Sequence, residues 1–218
     1  MLDQTNIKTP SEINSLMARS HIYRFIATCF RRPNGNKTDL KKEGMDLPWD
    51  EITEALPFGN KEQLIGHLKG LSEKLNQAAY EDRVTQYEDC FGYTASGPVP
   101  CYELEYGEEH THREPQQLSD ITSFYHAFGL KIKENNFERV DHIAIECEFM
   151  HFLLFKEAYA LSNVAIDNAE ICHQASIRFL REHLGRWAPS FTLKLSRYAK
   201  QGFLKDLADF TFSYIVQD

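Results

Sequence analysis

The chain has 218 residues, 42% of them hydrophobic, with 15 phenylalanines and a net charge of −8. That is enough apolar surface for an aromatic-rich core in one large domain or two small ones, and it excludes a disordered chain. The acidic balance argues against a protein that coats nucleic acid or docks on an anionic membrane, since both need a basic face.

The polar N-terminus has no basic segment leading into an apolar one, so no secretory signal is expected. Thr9-Pro10-Ser11-Glu12 is a capping box with proline at the first helical position. Ile13, Leu16, Met17, Ile22, Phe25, Ile26 and Phe30 then follow at helical spacing, and Pro33, Asn34 and Gly35 stop the helix. Asn36–Pro48 reads as a loop. Helices are expected near Trp49–Leu56, over Lys61–Gln77 and over Ala79–Phe91, the last carrying the string YEDCF. From Gly92 to Glu114 the periodicity vanishes, and Gly97, Pro98, Pro100 and Gly107 rule out a regular helix. An irregular stretch of that length inside a domain is commonly functional or a linker. Helices resume over Pro115–Phe128, closed by Gly129, and then over Val140–Leu161, Ile166–Leu184, Phe191–Lys200 and Phe203–Val216. No run alternates as a strand does, and none is long and apolar enough to span a bilayer. The expected class is all-α: one helical domain over residues 1–218, with a hinge at 92–114 and no membrane insertion.

Five scattered cysteines (Cys29, Cys90, Cys101, Cys147, Cys172) form no C-x-x-C. A disulfide framework or zinc ribbon is therefore not expected, and reduced thiols fit a cytoplasmic protein. Phosphate-loop, dinucleotide-fold and G-x-S-x-G motifs are absent. Arg31-Arg32 follows a helix and leads into a polar segment, so it is not a twin-arginine export signal.

The helix from Val140 to Phe155 poses the sharpest question, because Asp141, His142, Glu146, Glu148 and His151 interrupt an apolar run. Charged groups are costly in a core without partners. Glu148/His151 and Glu170/His173 are both E-x-x-H pairs, and Glu109-His110-Thr111-His112 holds a third. Helical di-iron proteins use two such pairs plus two inward carboxylates, so a metal-dependent helical enzyme is the alternative reading. At about 100° per residue, however, His142 and His151 point to nearly opposite sides of their helix. The candidates for further carboxylates, Glu12, Glu73 and Glu81, all lie among polar neighbours. Glu148 and His151 are assigned to packing or internal pairing, and no metal or other cofactor is expected.

Several stretches, in order along nearly the whole chain, resemble one family: RSHIYRFIATCFRRP (Arg19–Pro33), YEDCF (Tyr87–Phe91), GPVPCYELEYG (Gly97–Gly107), FYHAFGL (Phe124–Leu130), ERVDHIAIECEFM (Glu138–Met150) and LGRWAPSF (Leu184–Phe191). The chain resembles the TorD/DmsD/NarJ family of redox-enzyme maturation chaperones, and its CYELEYG string is most like the branch serving type II molybdoenzymes. Cys90 and Cys147 stand where the family usually has leucine, and Arg139 stands where many members have proline. The resemblance implies an all-helical, non-enzymatic, cytoplasmic chaperone, present as a monomer or a dimer that swaps helices through the hinge. Its partner would be the catalytic subunit of a molybdopterin oxidoreductase, often held by its twin-arginine leader until the bis-molybdopterin guanine dinucleotide cofactor is inserted.

Placed on this sequence, the leader-binding residues would be Tyr87, Phe91, Pro100, Tyr102, Glu103, Glu105, Tyr106, Glu138, Asp141, His142 and Glu146. Carboxylates such as Glu103, Glu105, Glu138 and Asp141 suit the leader's guanidiniums, which meet both oxygens of an acid. Tyr87, Phe91, Tyr102 and Tyr106 suit its apolar segment. Asp141 and His142 are expected at the N-terminal end of the long helix, facing the groove, with Glu146 orienting His142.

Overall fold

The structure is a computed structural model, and it describes residues 9–33, 47–78, 80–92, 97–107, 114–131 and 138–218. The described residues form helices α1 (Pro10–Phe30), α2 (Trp49–Glu54), α3 (Lys61–Gln77), α4 (Tyr80–Phe91), α5 (Glu114–Ala127), α6 (Ile143–Ser162), α7 (Ile166–Glu182), α8 (Leu184–Ala199) and α9 (Phe203–Ile215). A 3₁₀ turn over Glu103–Tyr106 lies between α4 and α5. Among these residues there is no strand, only one isolated antiparallel bridge between Tyr102 and His142. The expected all-α class holds.

The bundle is built on α1 and α6, with α7 on the far side of α6, and α8 and α9 paired and reaching back to α3. Helix α1 starts as its capping box dictates: Thr9 Oγ1 accepts from Glu12 N, and the Glu12 side chain returns to Thr9 N at 2.5 Å. Helix α6 is buried on nearly every side, including Ile143, Cys147, Met150, Leu153 and Leu154. A helix apolar all round belongs at the centre of a fold. The phenylalanines meet edge-to-face around it: Phe149 lies 4.8 Å from both Tyr125 and Phe179, and Phe30 packs on Phe91 and Phe191. All five cysteines are buried free thiols.

Two helix starts differ by more than one residue from the sequence-based expectation. Helix α6 begins at Ile143 rather than Val140, because His142 is its N-cap. Helix α8 begins at Leu184 rather than Phe191 and runs through Pro189. A proline normally breaks a helix interior. Here Leu184, Trp187, Ala188, Phe191 and Leu195 form one buried stripe, and tertiary packing overrides the local cost. Gly185 lets α8 follow α7 at once, since a Cβ there would stand 2.6 Å from Leu180 O. The loop read over Asn36–Pro48 falls outside the described residues as far as position 46, as do Glu109, His110, His112 and residues 93–96 of the hinge.

Candidate binding site

The irregular segment after α4 is folded back on the bundle by two glycines. Gly92, at φ +71°, closes α4 in the left-handed conformation. A Cβ on Gly97 would lie 1.8 Å from Phe91 O, so only glycine permits the chain to pass there. The return brings Val99 N to Cys90 O at 2.9 Å and buries Val99 and Cys101. The next residues pair with the start of α6: Ile143 N donates to Cys101 O, and Glu103 N donates to Asp141 O, each at 2.9 Å. Tyr106 OH donates to Pro100 O at 2.6 Å, and its ring rests on Trp187 and Phe191 of α8.

This junction gathers most of the sequence-predicted site. Asp141 is fully buried and receives Arg139 through Nε at 2.6 Å and Nη2 at 2.8 Å, with Leu104 N at 3.2 Å. Arg139 also reaches Glu105 at 3.4 Å, and its guanidinium carbon lies 4.7 Å above the Tyr102 ring. Tyr102 OH donates to Glu138 Oε2 at 2.7 Å. Glu103 meets His183 Nδ1 at 3.2 Å, where α7 passes into α8. Glu105 is exposed, while Tyr102, Glu103, Tyr106, Glu138 and Arg139 are half-buried. The accessible part of the site is thus an acidic rim around two tyrosine rings.

Asp141 and His142 sit at the N-terminal end of α6, as expected, but they point inward rather than onto an open groove. Both are wholly buried. His142 Nδ1 accepts from Ala144 N at 3.1 Å, so Nε2 carries the proton, and it lies 3.8 Å from Glu138 Oε2. Burial lowers the His142 pKa to about 4, with Glu138 and Asp141 opposing the shift. Glu146 does not orient His142. Its Oε2 accepts from Trp187 Nε1 at 3.0 Å, because the N-cap bond already fixes the imidazole and Trp187 faces Glu146 from α8. Burial first, and the Glu103 carboxylate second, push the Glu146 carboxyl well above the usual range. Tyr87 and Phe91 lie behind the loop in the aromatic core, only 5% and 4% exposed. They do not line an open trough, because Gly97–Cys101 covers this end of α4.

Arg139, Tyr125, His183 and Trp187 complete the junction and were not among the sequence-predicted residues. Tyr125 OH holds Val140 O at 3.0 Å. Trp187 lies within the family-like stretch LGRWAPSF, which carried a signal that the expected helices, with a gap from 185 to 190, did not use.

The E-x-x-H residues are engaged separately. Glu148 pairs with Arg31 at 2.6 Å, His151 Nδ1 meets Ser20 Oγ at 2.7 Å, His173 meets Glu157 at 3.1 Å, and Glu170 accepts from Gln174 at 2.7 Å. His151 is paired inside the bundle with Ser20, whereas the pair of Glu148 with Arg31 lies on the exposed surface. Among the described residues no three His, Cys, Asp or Glu side chains gather as a metal site, and no helix is long and apolar enough to cross a membrane.

Comparison with known proteins adds an independent line. Residues 41–193 match a family described as nitrate reductase delta subunit. The chain is 33% identical over 89 residues to the selenate reductase assembly chaperone protein of Thauera selenatis, covering 39% of this chain and 45% of that protein. It is 29% identical over 119 residues to the perchlorate reductase assembly chaperone protein of Dechloromonas aromatica, covering 54% and 52%. It is 28% identical over 106 residues to the chaperone protein TorD of Vibrio cholerae, covering 47% and 44%. The chain spans about half the length of the curated relatives it matches.

Proposed function

Because the chain belongs to the nitrate reductase delta subunit family, we propose that it is an assembly chaperone, not an enzyme, for the catalytic subunit of a molybdopterin oxidoreductase. It acts in the cytoplasm, holding the immature subunit while the bis-molybdopterin guanine dinucleotide cofactor is inserted. The names of the relatives, assembly chaperones for selenate and perchlorate reductases and TorD among them, support this reading. A client of the type II class is part of the proposal.

In this proposal the junction of loop and α6 takes the client's twin-arginine leader. One observation carries it: the junction already seats a guanidinium, that of Arg139, between Asp141, Glu105 and the Tyr102 ring. Carboxylates and an aromatic face are the groups that bind arginine well. Glu103, Glu105 and Glu138 on the rim supply acceptors for a second guanidinium, and Tyr102 and Tyr106 meet the apolar segment behind it. Lifting of the loop would uncover Tyr87 and Phe91 to the same segment and is the route by which a monomer would exchange helices into a dimer. Micromolar affinity, about −8 kcal/mol, is sufficient for a grip that must be released.

Fluorescence anisotropy with leader peptides carrying Arg-Arg or Lys-Lys, alongside co-purification with the immature catalytic subunit, tests the proposal. The Arg-Arg peptide is expected to bind more tightly. Co-purification without leader binding would move the grip to the mature subunit, and failure of both would end the chaperone reading.

A further inference from the structure

Helix α8 is electrostatically unlike the rest of the molecule. In a chain of net charge −8, it alone among the described helices carries cations and no carboxylate. One side of it is buried in the core through Leu184, Trp187, Phe191 and Leu195. On the other side Ser190, Leu193, Lys194, Arg197 and Tyr198 form a shallow, open patch on the surface of the helix. Their spacing of three and four residues puts them on one continuous face. Leu193 and Tyr198 are 42% and 47% exposed, so the cations flank uncovered apolar surface. No carboxylate among the described residues pairs with Lys194 or Arg197, although nearby Lys205 pairs with Asp209. Lys194 instead lies 5.8 Å from the centre of the Tyr106 ring, so the patch borders the folded-back loop.

We propose that this face of α8 docks an amphipathic helix of a partner protein, one that carries carboxylates beside an apolar seam. Grooves that receive such helices read apolar anchors at spacings of three, four and seven residues. Leu193 and Tyr198 offer that contact, and Lys194 and Arg197, three residues apart, match acids at the same spacing on the incoming helix. Charge complementarity sets the sign. The remainder of this acidic chain repels an anionic segment, so the local cations are what direct one to this face. A nucleic acid would also engage cations and a tyrosine, but its dense charge meets the full repulsion of the protein. The surface is distinct from the acidic rim at Glu103, Glu105 and Glu138, which attracts the opposite charge, and the proposal does not depend on what that rim binds.

A random peptide library displayed against the whole protein, with the enriched peptides then measured against the Lys194→Glu/Arg197→Glu variant, tests the inference. The expected peptides place Asp or Glu beside Leu or Phe at helical spacing. They should bind the double variant and Leu193→Ala/Tyr198→Ala about tenfold more weakly or worse, with unchanged circular dichroism and melting temperature. The inference is overturned by enriched peptides that are basic, by peptides indifferent to the double variant, or by no enrichment. Tighter binding of a single-stranded oligonucleotide than of the best peptide would overturn it too.

Discussion

Arg139 grips Asp141 two residues away through two nitrogens, at 2.6 and 2.8 Å, while Asp141 itself is shut off from solvent. The pair fastens the start of α6 to the folded-back loop, since the same carboxylate receives Leu104 N. Breaking a buried pair from one side leaves an uncompensated charge, at about 3–5 kcal/mol. The Arg139 side chain is 33% exposed, so water offsets part of that. Arg139→Ala is expected to cost about 2 kcal/mol in urea unfolding at neutral pH. It should also tighten binding of an arginine leader, because Asp141 and Glu105 are then open to the client. A loss of leader affinity would show that Arg139 is part of the grip rather than a stand-in for the client.

Two buried groups at this junction give stability opposite pH slopes. His142 has its pKa lowered by burial from 6.5 to about 4, so the unfolded chain binds the extra proton first. Its contribution is complete above about pH 6.5 and is shed as the pH falls toward 4. Between pH 7.5 and pH 5 this amounts to about 2 kcal/mol, and His142→Asn, which replaces the Nδ1 acceptor by an N-cap oxygen, should lose that much less over the same interval. Glu146 is raised by burial and by Glu103, so its contribution is present at low pH and is lost as the pH rises above the ordinary carboxyl range. Glu146→Gln can still accept from Trp187 and should remove that decline with rising pH. Denaturant titrations at several pH values check both slopes. A His142→Asn curve parallel to the wild type would assign the acid loss to other groups.

What the sequence revealed at this site was position rather than orientation. The helical periodicity located α1, α3, α7 and α9 within a residue or two. The string around Asp141 and His142 marked the right junction. Whether those side chains face water depends on Cys101 and Glu103 pairing with α6 across a separation of about forty residues, and no local pattern encodes that. The expectation that both face a groove failed for that reason. The role of Trp187 stayed hidden because the expected helix starts only at Phe191, while the burial that carries α8 through Pro189 comes from Phe30, Tyr106 and other distant residues.

Gly97 and Gly107 separate the loop's shape from its composition. Gly97→Ala places a Cβ 1.8 Å from Phe91 O, a clash with backbone that no rotamer relieves. Overpacking of this kind costs about 1–3 kcal/mol, and displacement of the loop should expose Tyr87 and Phe91. Gly107 has φ −87°, and a methyl group added there would meet nothing within 4 Å, so Gly107→Ala should be neutral. Thermal unfolding and binding of a hydrophobic dye distinguish the two variants. Equal behaviour would mean that the loop's return path is not held by Gly97.

The exposed rim, rather than the buried pair, is where binding can be tested without unfolding the protein. Replacing Asp141 and His142 by alanine removes a buried ion pair and an N-cap, so lost binding in that variant would not separate recognition from folding. Glu105 pairs with Arg139 only at 3.4 Å and is solvent-exposed, and the Glu138 side chain is 28% exposed. Glu105→Gln/Glu138→Gln keeps the shape of both side chains and deletes two charges. It should weaken an arginine leader by about fivefold at low salt, mainly through slower association, with little change in melting temperature. The difference should vanish near 1 M salt, where charges are screened beyond about 3 Å. Rim charge that attracts the leader demands both results together. A deficit that persists in high salt would point to the lost Tyr102–Glu138 hydrogen-bond geometry instead, and Tyr102→Phe would then reproduce it.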